Sequence, residues 1–191
     1  MQLPESEQTI FETILGRRSV RSYSPDKVEA NVLKTLLEAA VWAPTAMHKE
    51  PWGFVIVQNK EVLQNLSDLA KPLFIEELKK SGARVDFSKY IDGNLFYDAG
   101  TLIIICGKTN GHLPVADCWV AAENLMLAAC AMKLGSCIVG SALPAMNLPE
   151  VRSTLGIPMG FTAIAPIIIG YPDAESAPGS RKAPLILKTI T

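Results

Sequence analysis

The chain has 191 residues, 49% of them apolar and 19% charged, a composition that excludes a disordered chain and supplies a sizeable core. Eighteen Lys and Arg against nineteen Asp and Glu leave a net charge of −1, which excludes a protein coating DNA or RNA through a broad basic surface. The length predicts one domain over residues 1–191.

The first ten residues, MQLPESEQTI, are polar and acidic and cannot form the apolar segment of a secretion signal. Ile10, Phe11, Ile14 and Leu15 then recur at helical spacing, predicting an amphipathic helix over 7–15 ended by Gly16. A second helix is expected over about 28–42, with Val32, Leu33, Leu36, Leu37, Ala40 and Val41 on one face and Pro44 as its stop. WGFVIVQ (52–58) reads as a strand, and residues 60–80 as a helix with a break before Pro72.

The stretch 83–97 carries no clear period and is a candidate loop over a site. TLIIICG (101–107) and FTAIAPIIIGYP (161–172) read as buried strands, and 117–132 as a helix apolar nearly all round, fit for the core or a subunit interface. Its richest run, WVAAENLMLAACAM, is too short to span a bilayer and contains Glu123 and Asn124. CIVGSALP follows as a tight connection. The apolar end, PLILKTI, has nothing nearby in sequence to pack on and either crosses to another subunit or folds back. The alternation of elements predicts a mixed α/β or α+β layer structure.

Cys106, Cys118, Cys130 and Cys137 form no C-x-x-C pair and have no histidine at zinc-site spacing, so they read as reduced core thiols and imply a cytoplasmic location. No metal site is expected.

Two constellations carry chemistry. LGRRSVRSYSPDK (15–27) holds Arg17, Arg18, Ser19 and Arg21 within five residues, with Lys27 beyond them. Arginine forks and a hydroxyl are the donors that a phosphate monoester needs, and Arg181 with Lys182 in SRKAP adds a second basic jaw. The same cations, just past a helix C-terminus, also suit the helix dipole and a solvated surface. WAPTAMHKEPWGF (42–54) is a turn that offers the Thr45 hydroxyl, backbone groups and His48 to the polar edge of a planar ligand; it is also compatible with a turn cap, a surface histidine and a core tryptophan. No G-x-S-x-G elbow, P-loop or G-x-G-x-x-G is present, His48 and His112 are the only histidines, and Glu76 and Glu77 fall on a helix as solvated carboxylates.

RRSVRSY, APTAMHKEPWGFVIV, DCWVAAENLMLAACAMKLGSCIVGS, LGIPMGFTAIAPIIIGYP and SRKAPL, in that order, resemble the FMN-dependent nitroreductase family over about 10–188. The resemblance implies an α+β fold, a three-layer α/β/α sandwich with a mainly antiparallel central sheet, in an intertwined homodimer that exchanges C-terminal segments. It implies FMN as cofactor and NADH or NADPH as hydride donor to flavin N5. The acceptor would be a nitroaromatic, quinone or activated alkene at the same place.

It places Arg17, Arg18, Ser19 and Arg21, with Arg181 or Lys182, on the FMN phosphate and ribityl chain. Arg21 or Lys27 would lie at the flavin N1–C2 edge, where a cation opposes developing negative charge. Pro44, Thr45, Ala46 and His48 fall on the segment reaching the flavin from the partner, Met47 near the substrate cavity, Val139, Gly140 and Ser141 beside the ring, and Asp117 near the flavin edge. H-x-E-P-W at 48–52 is similar to the iodotyrosine deiodinase branch, whose Glu-Tyr-Lys lid has no clear counterpart in 70–95. Lys133 stands where the family usually has glycine. Dehalogenation or dehydrogenation on the same scaffold, a flavin-binding sensor and a flavin-free relative are the alternatives.

Overall fold

The structure is a computed structural model that describes residues 10–82, 93–109, 111–174, 176–177 and 179–191. Four strands, β1 (Trp52–Val57), β2 (Thr101–Lys108), β3 (Gly135–Ile138) and β4 (Phe161–Gly170), form one sheet in the order β1-β2-β4-β3. Every ladder is antiparallel, with a register shift at Ile105/Cys106.

β2 is buried over its first seven residues because the sheet is covered on both faces, as its unbroken apolar run requires. Ile103 and Ile105 point to α2 (Ala30–Val41) and α4 (Leu113–Ala131), meeting Leu36, Ala40 and Leu125. Leu102, Ile104 and Cys106 point the other way, to α3 (Lys60–Lys80) and the short helices α5 (Leu143–Met146) and α6 (Pro149–Thr154), meeting Leu66, Ala70 and Met146. The result is the expected α+β arrangement of helix, sheet and helix layers. Each of the leucine, isoleucine and methionine side chains among these contributes roughly 2 kcal/mol on burial.

Several elements differ from their expected form. α1 (Ile10–Gly16) forms, with Gly16 inside it, but buries only Thr13; Phe11 and Leu15 are 72% and 73% exposed. The apolar spacing therefore marks a face left largely uncovered among the described residues. α2 ends at Val41, before Pro44, and buries Leu33, Leu36 and Ala40, while Val41 is exposed. α3 runs unbroken through Pro72, which lies exposed, so the missing N–H interrupts nothing in the core.

Cys137 and Ile138, the start of the expected tight connection, instead belong to β3, fixed by pairing Gly135 with Gly170 and Ile138 with Ile167. The suspected loop at 83–97 lies outside the described residues except for 93–97, where Leu95 and Phe96 are buried. Residues 7–9 of the first expected helix also lie outside them.

α4 is longer than the apolar run inside it, and at 19 residues it meets the length and composition of a membrane span. Its apolarity has a local explanation, because Cys118, Ala121, Ala122, Leu125, Met126 and Ala129 are buried in the sheet-facing core. Cys106, Cys118 and Cys137 are buried, Cys130 half-buried, and none is in a disulfide.

Candidate functional site

The segment after α1 is pressed along the β3 edge. Val20 N–H donates to the Ser136 carbonyl at 3.1 Å, Ser19 bridges Ser136, and Tyr23 bridges Pro172. Tyr23 is buried and its hydroxyl donates to the Val20 carbonyl at 2.8 Å. Burial holds its phenol well above the ordinary tyrosine range. Glycines make this approach possible: a Cβ on Gly135 would stand 2.9 Å from Val20 Cβ, and one on Gly170 3.0 Å from the Tyr23 ring.

This placement divides the cationic cluster. Arg17 and Arg18 line a cavity of about 580 Å³ with Val20, Cys130, Lys133 and Ser136. Arg17 Nε lies 3.8 Å from Glu123 on α4. Arg18 donates to the carbonyls of Leu15 at 2.6 Å, Arg17 at 2.8 Å and Ala177 at 3.3 Å, and Gly179 passes against its guanidinium. Asp173 also lines the cavity and accepts from the Ser22 hydroxyl at 3.4 Å.

Arg21 faces a second cavity, of about 520 Å³, with its guanidinium 6.0 Å from the Tyr97 ring centre. Lys27 lines a third, smaller one with Lys60. The C-terminal segment is led to Arg18, but Arg181 and Lys182 are exposed, and Arg181 bonds only its neighbour's carbonyl among the described contacts.

The 44–50 turn stands elsewhere. Ala46–His48 form a 3₁₀ turn, and Met47, His48 and Glu50 have φ of 53°, 53° and 44°, three left-handed non-glycine residues interrupted by right-handed Lys49. Asp117, near the start of α4 and buried, anchors it: Ala46 N–H lies 3.2 and 3.3 Å from the two carboxylate oxygens. Thr45 Oγ1 accepts from the Glu50 amide at 3.3 Å, and exposed His48 pairs with Glu50 at 3.2 Å.

The turn presents Met47 to a cavity of about 300 Å³ with Lys49, Lys108, Leu113 and Pro114. Asp117 and the end of α4 are separated by about 20 Å of helix rise, so this turn and the Arg17–Arg18 cavity lie far apart in one chain. Val139 is buried with its N–H on the Pro166 carbonyl at 2.9 Å, and Gly140 beside it opens onto empty space. Ser141 is half-buried behind them.

The structure thus brings Arg17 and Arg18 together and separates Arg21, Pro44–His48 and Arg181–Lys182 from them. It adds Lys133, which the sequence marked only by its place at the end of the apolar helix and by the family's usual glycine there. Among the described residues no cluster of His, Cys, Asp and Glu could hold a metal ion.

The sequence pattern of the nitroreductase family matches residues 14–171, which include Arg17, Arg18, the 44–50 turn and all four strands. The chain belongs to the nitroreductase family. A relative from Methanothermobacter thermautotrophicus, named "Putative NADH dehydrogenase/NAD(P)H nitroreductase", is 31% identical over 92% of this chain and 83% of its own. A nitroreductase from Bacteroides fragilis, solved with bound FMN, superposes with a TM-score of 0.75 at 31% identity, over 95% of this chain and 97% of the other. An iodotyrosine deiodinase from Drosophila melanogaster is 26% identical over 88% of this chain and 64% of its own. The four-stranded sheet and its covering helices are accordingly a nitroreductase fold.

Proposed function

We propose that this nitroreductase-family chain is an FMN-dependent oxidoreductase. It passes hydride from NADH or NADPH to a small oxidised acceptor, a nitroaromatic, a quinone or an activated alkene. The observation that carries this reading is the Arg17–Arg18 cavity, which fits a phosphate monoester: among the described residues three cations and one carboxylate line it, and Ser136 stands in its wall. When bound, FMN supplies a ring nitrogen that accepts hydride from the donor and returns it to the acceptor.

The chain's own part is to bind and orient. Arg17 and Arg18 set the phosphate against the β3 edge. Ser19 and Val20, fixed to Ser136, support the ribityl chain. Gly140, with open space where a side chain would stand, admits a planar ring beside Val139 and Ser141. Arg21 brings a positive charge to the flank of the cavity next to it, suited to the electron-rich edge of a reduced ring.

The active form in this reading is a homodimer. The 44–50 turn is too far along α4 to reach the arginine cavity of its own chain, and a second copy would bring it there with Met47 at the substrate. The exposed Phe11 and Leu15 of α1, and the exposed Leu185 and Leu187 of the tail, support such an interface. In this reading the tail crosses to the other subunit and one domain spans the whole chain. The partners are small molecules, without nucleic acid or membrane, in the cytoplasm.

The visible spectrum of purified protein tests the proposal. A yellow protein that bleaches anaerobically with NADH or NADPH and recovers on adding a quinone or nitroaromatic is expected. Protein that cannot take up FMN overturns it. The H-x-E-P-W sequence and the deiodinase relative favour dehalogenation as a second reading, for which recovery with a halotyrosine, and not with the quinone, is the distinguishing result.

A further inference from the structure

Lys133 occupies a backbone position that disfavours it. The end of α4 is closed by Leu134 N–H on the Ala129 carbonyl at 2.8 Å and Lys133 N–H on the Cys130 carbonyl at 3.0 Å. These two bonds define a helix-ending motif whose second-to-last residue must be left-handed, and Lys133 has φ of 59°. Glycine fills such a position without steric cost, whereas a side chain brings its Cβ against the backbone. A lysine there is strained, and nothing in the packing of α4 calls for one, since Lys133 is exposed. Lys133 does, however, line the same cavity as Arg17 and Arg18. It forms no ion pair among the described residues.

Part of the donor set of the two arginines is already engaged: Arg18 commits Nε and Nη1 to three carbonyls, and Arg17 Nε lies 3.8 Å from Glu123. An ammonium group on a four-carbon stem, with three rotatable donors, supplies what these two fixed forks do not. We propose that Lys133 is the third cation for the phosphate group of the ligand in this cavity, kept at a strained helix end for that purpose. The inference rests on the FMN reading for the identity of the ligand, and on the cavity alone for its phosphate.

The test compares wild type, K133G, K133N and K133R for binding of FMN and of riboflavin, which lacks the phosphate, by flavin fluorescence. Melting of the apoprotein is followed with and without inorganic phosphate. K133G and K133N are expected to bind FMN roughly tenfold more weakly with riboflavin unchanged, as loss of one charge-assisted contact predicts. K133R should retain most of the FMN affinity. Apo K133G should melt about 2–4 °C higher than wild type, because the strain is relieved.

Equal weakening of FMN and riboflavin, or no weakening of either, overturns the inference. So does a lower melting point with flavin affinities unchanged, which would give the lysine to the helix dipole. If wild type takes up neither flavin, the functional reading fails on its own. Phosphate then decides: a rise in melting point that wild type shows and K133G lacks sustains Lys133 as a phosphate ligand, and an equal response in both overturns it.

Discussion

The Asp117 carboxylate and the Ala46 amide form a bridge between α4 and the 44–50 turn, with the N–H 3.2 and 3.3 Å from the two oxygens. Asp117 is buried, so the bond forms largely away from water and holds in place a turn with three left-handed side-chain-bearing residues. D117A removes the acceptor and should cost about 2 kcal/mol, measured by urea unfolding. D117N keeps a carbonyl acceptor and should recover about half of that. Equal losses in the two variants would assign the effect to the charge instead of to the bond.

Gly135 and Gly140 should respond oppositely to the same change. A Cβ at 135 meets Val20 and Tyr23 at 2.9 to 3.0 Å, and one at 140 meets nothing within 4 Å. G135A is therefore expected to lose about 1–3 kcal/mol by overpacking and to weaken FMN uptake, because it pushes residues 17–23 off the sheet. G140A should stay within about 0.5 kcal/mol in stability. Unfolding curves with flavin titrations check both.

Stability should fall on the alkaline side. Burial pushes the Cys106 thiol up to about 11 and the Cys118 thiol up to about 12, from an ordinary value of 9.0, and raises the Tyr23 phenol as well. In each case the folded state holds the proton more tightly than the unfolded chain. The corresponding stability is complete below pH 9 and is lost as pH rises from there through about 11 to 12. Urea midpoints across pH 8 to 11 measure the slope, and C106A/C118A should flatten it. An unchanged slope would exclude the thiols as its source.

The proposed homodimer can be broken from α1. Phe11 and Leu15 lie one turn apart on the same exposed face. F11D/L15D should sediment as a monomer and lose flavin, while its apoprotein unfolding midpoint per chain changes little. A variant that sediments like wild type would take α1 out of the interface.

What could be read from the sequence followed the range of the forces involved. β2 and β4 were legible because TLIIICG and AIAPIIIG are unbroken apolar runs, the mark of strands covered on both sides. α4 was legible for a similar reason. β3 was not, because GSCI has only four residues, and its extended form depends on pairing with β4, more than twenty residues later. Phe11 and Leu15 showed their period but not their partner, since periodicity identifies an apolar face without saying what covers it.

The site divides along the same line. Arg17 and Arg18 stood out as local neighbours, and the structure keeps them together. Arg21 was counted with them, yet the chain turns at Val20 and points it over Tyr97. Lys133 is more than a hundred positions away in sequence and joins the cavity only because α4 ends beside α1. Asp117 was reached only through the family resemblance, and its bond to Ala46 depends on how α2 and α4 pack.

Arg18 joins two parts of the molecule through one side chain. It closes the open carbonyl end of α1 and also grips the backbone at Ala177, where the tail leaves the sheet. A wall of the Arg17–Arg18 cavity is therefore only as ordered as the departing chain. Whatever fastens that chain prepares the cavity, and whatever fills the cavity fastens the chain by the same free energy. In the proposed function, a cut in the tail would be felt as a weaker hold on the ligand.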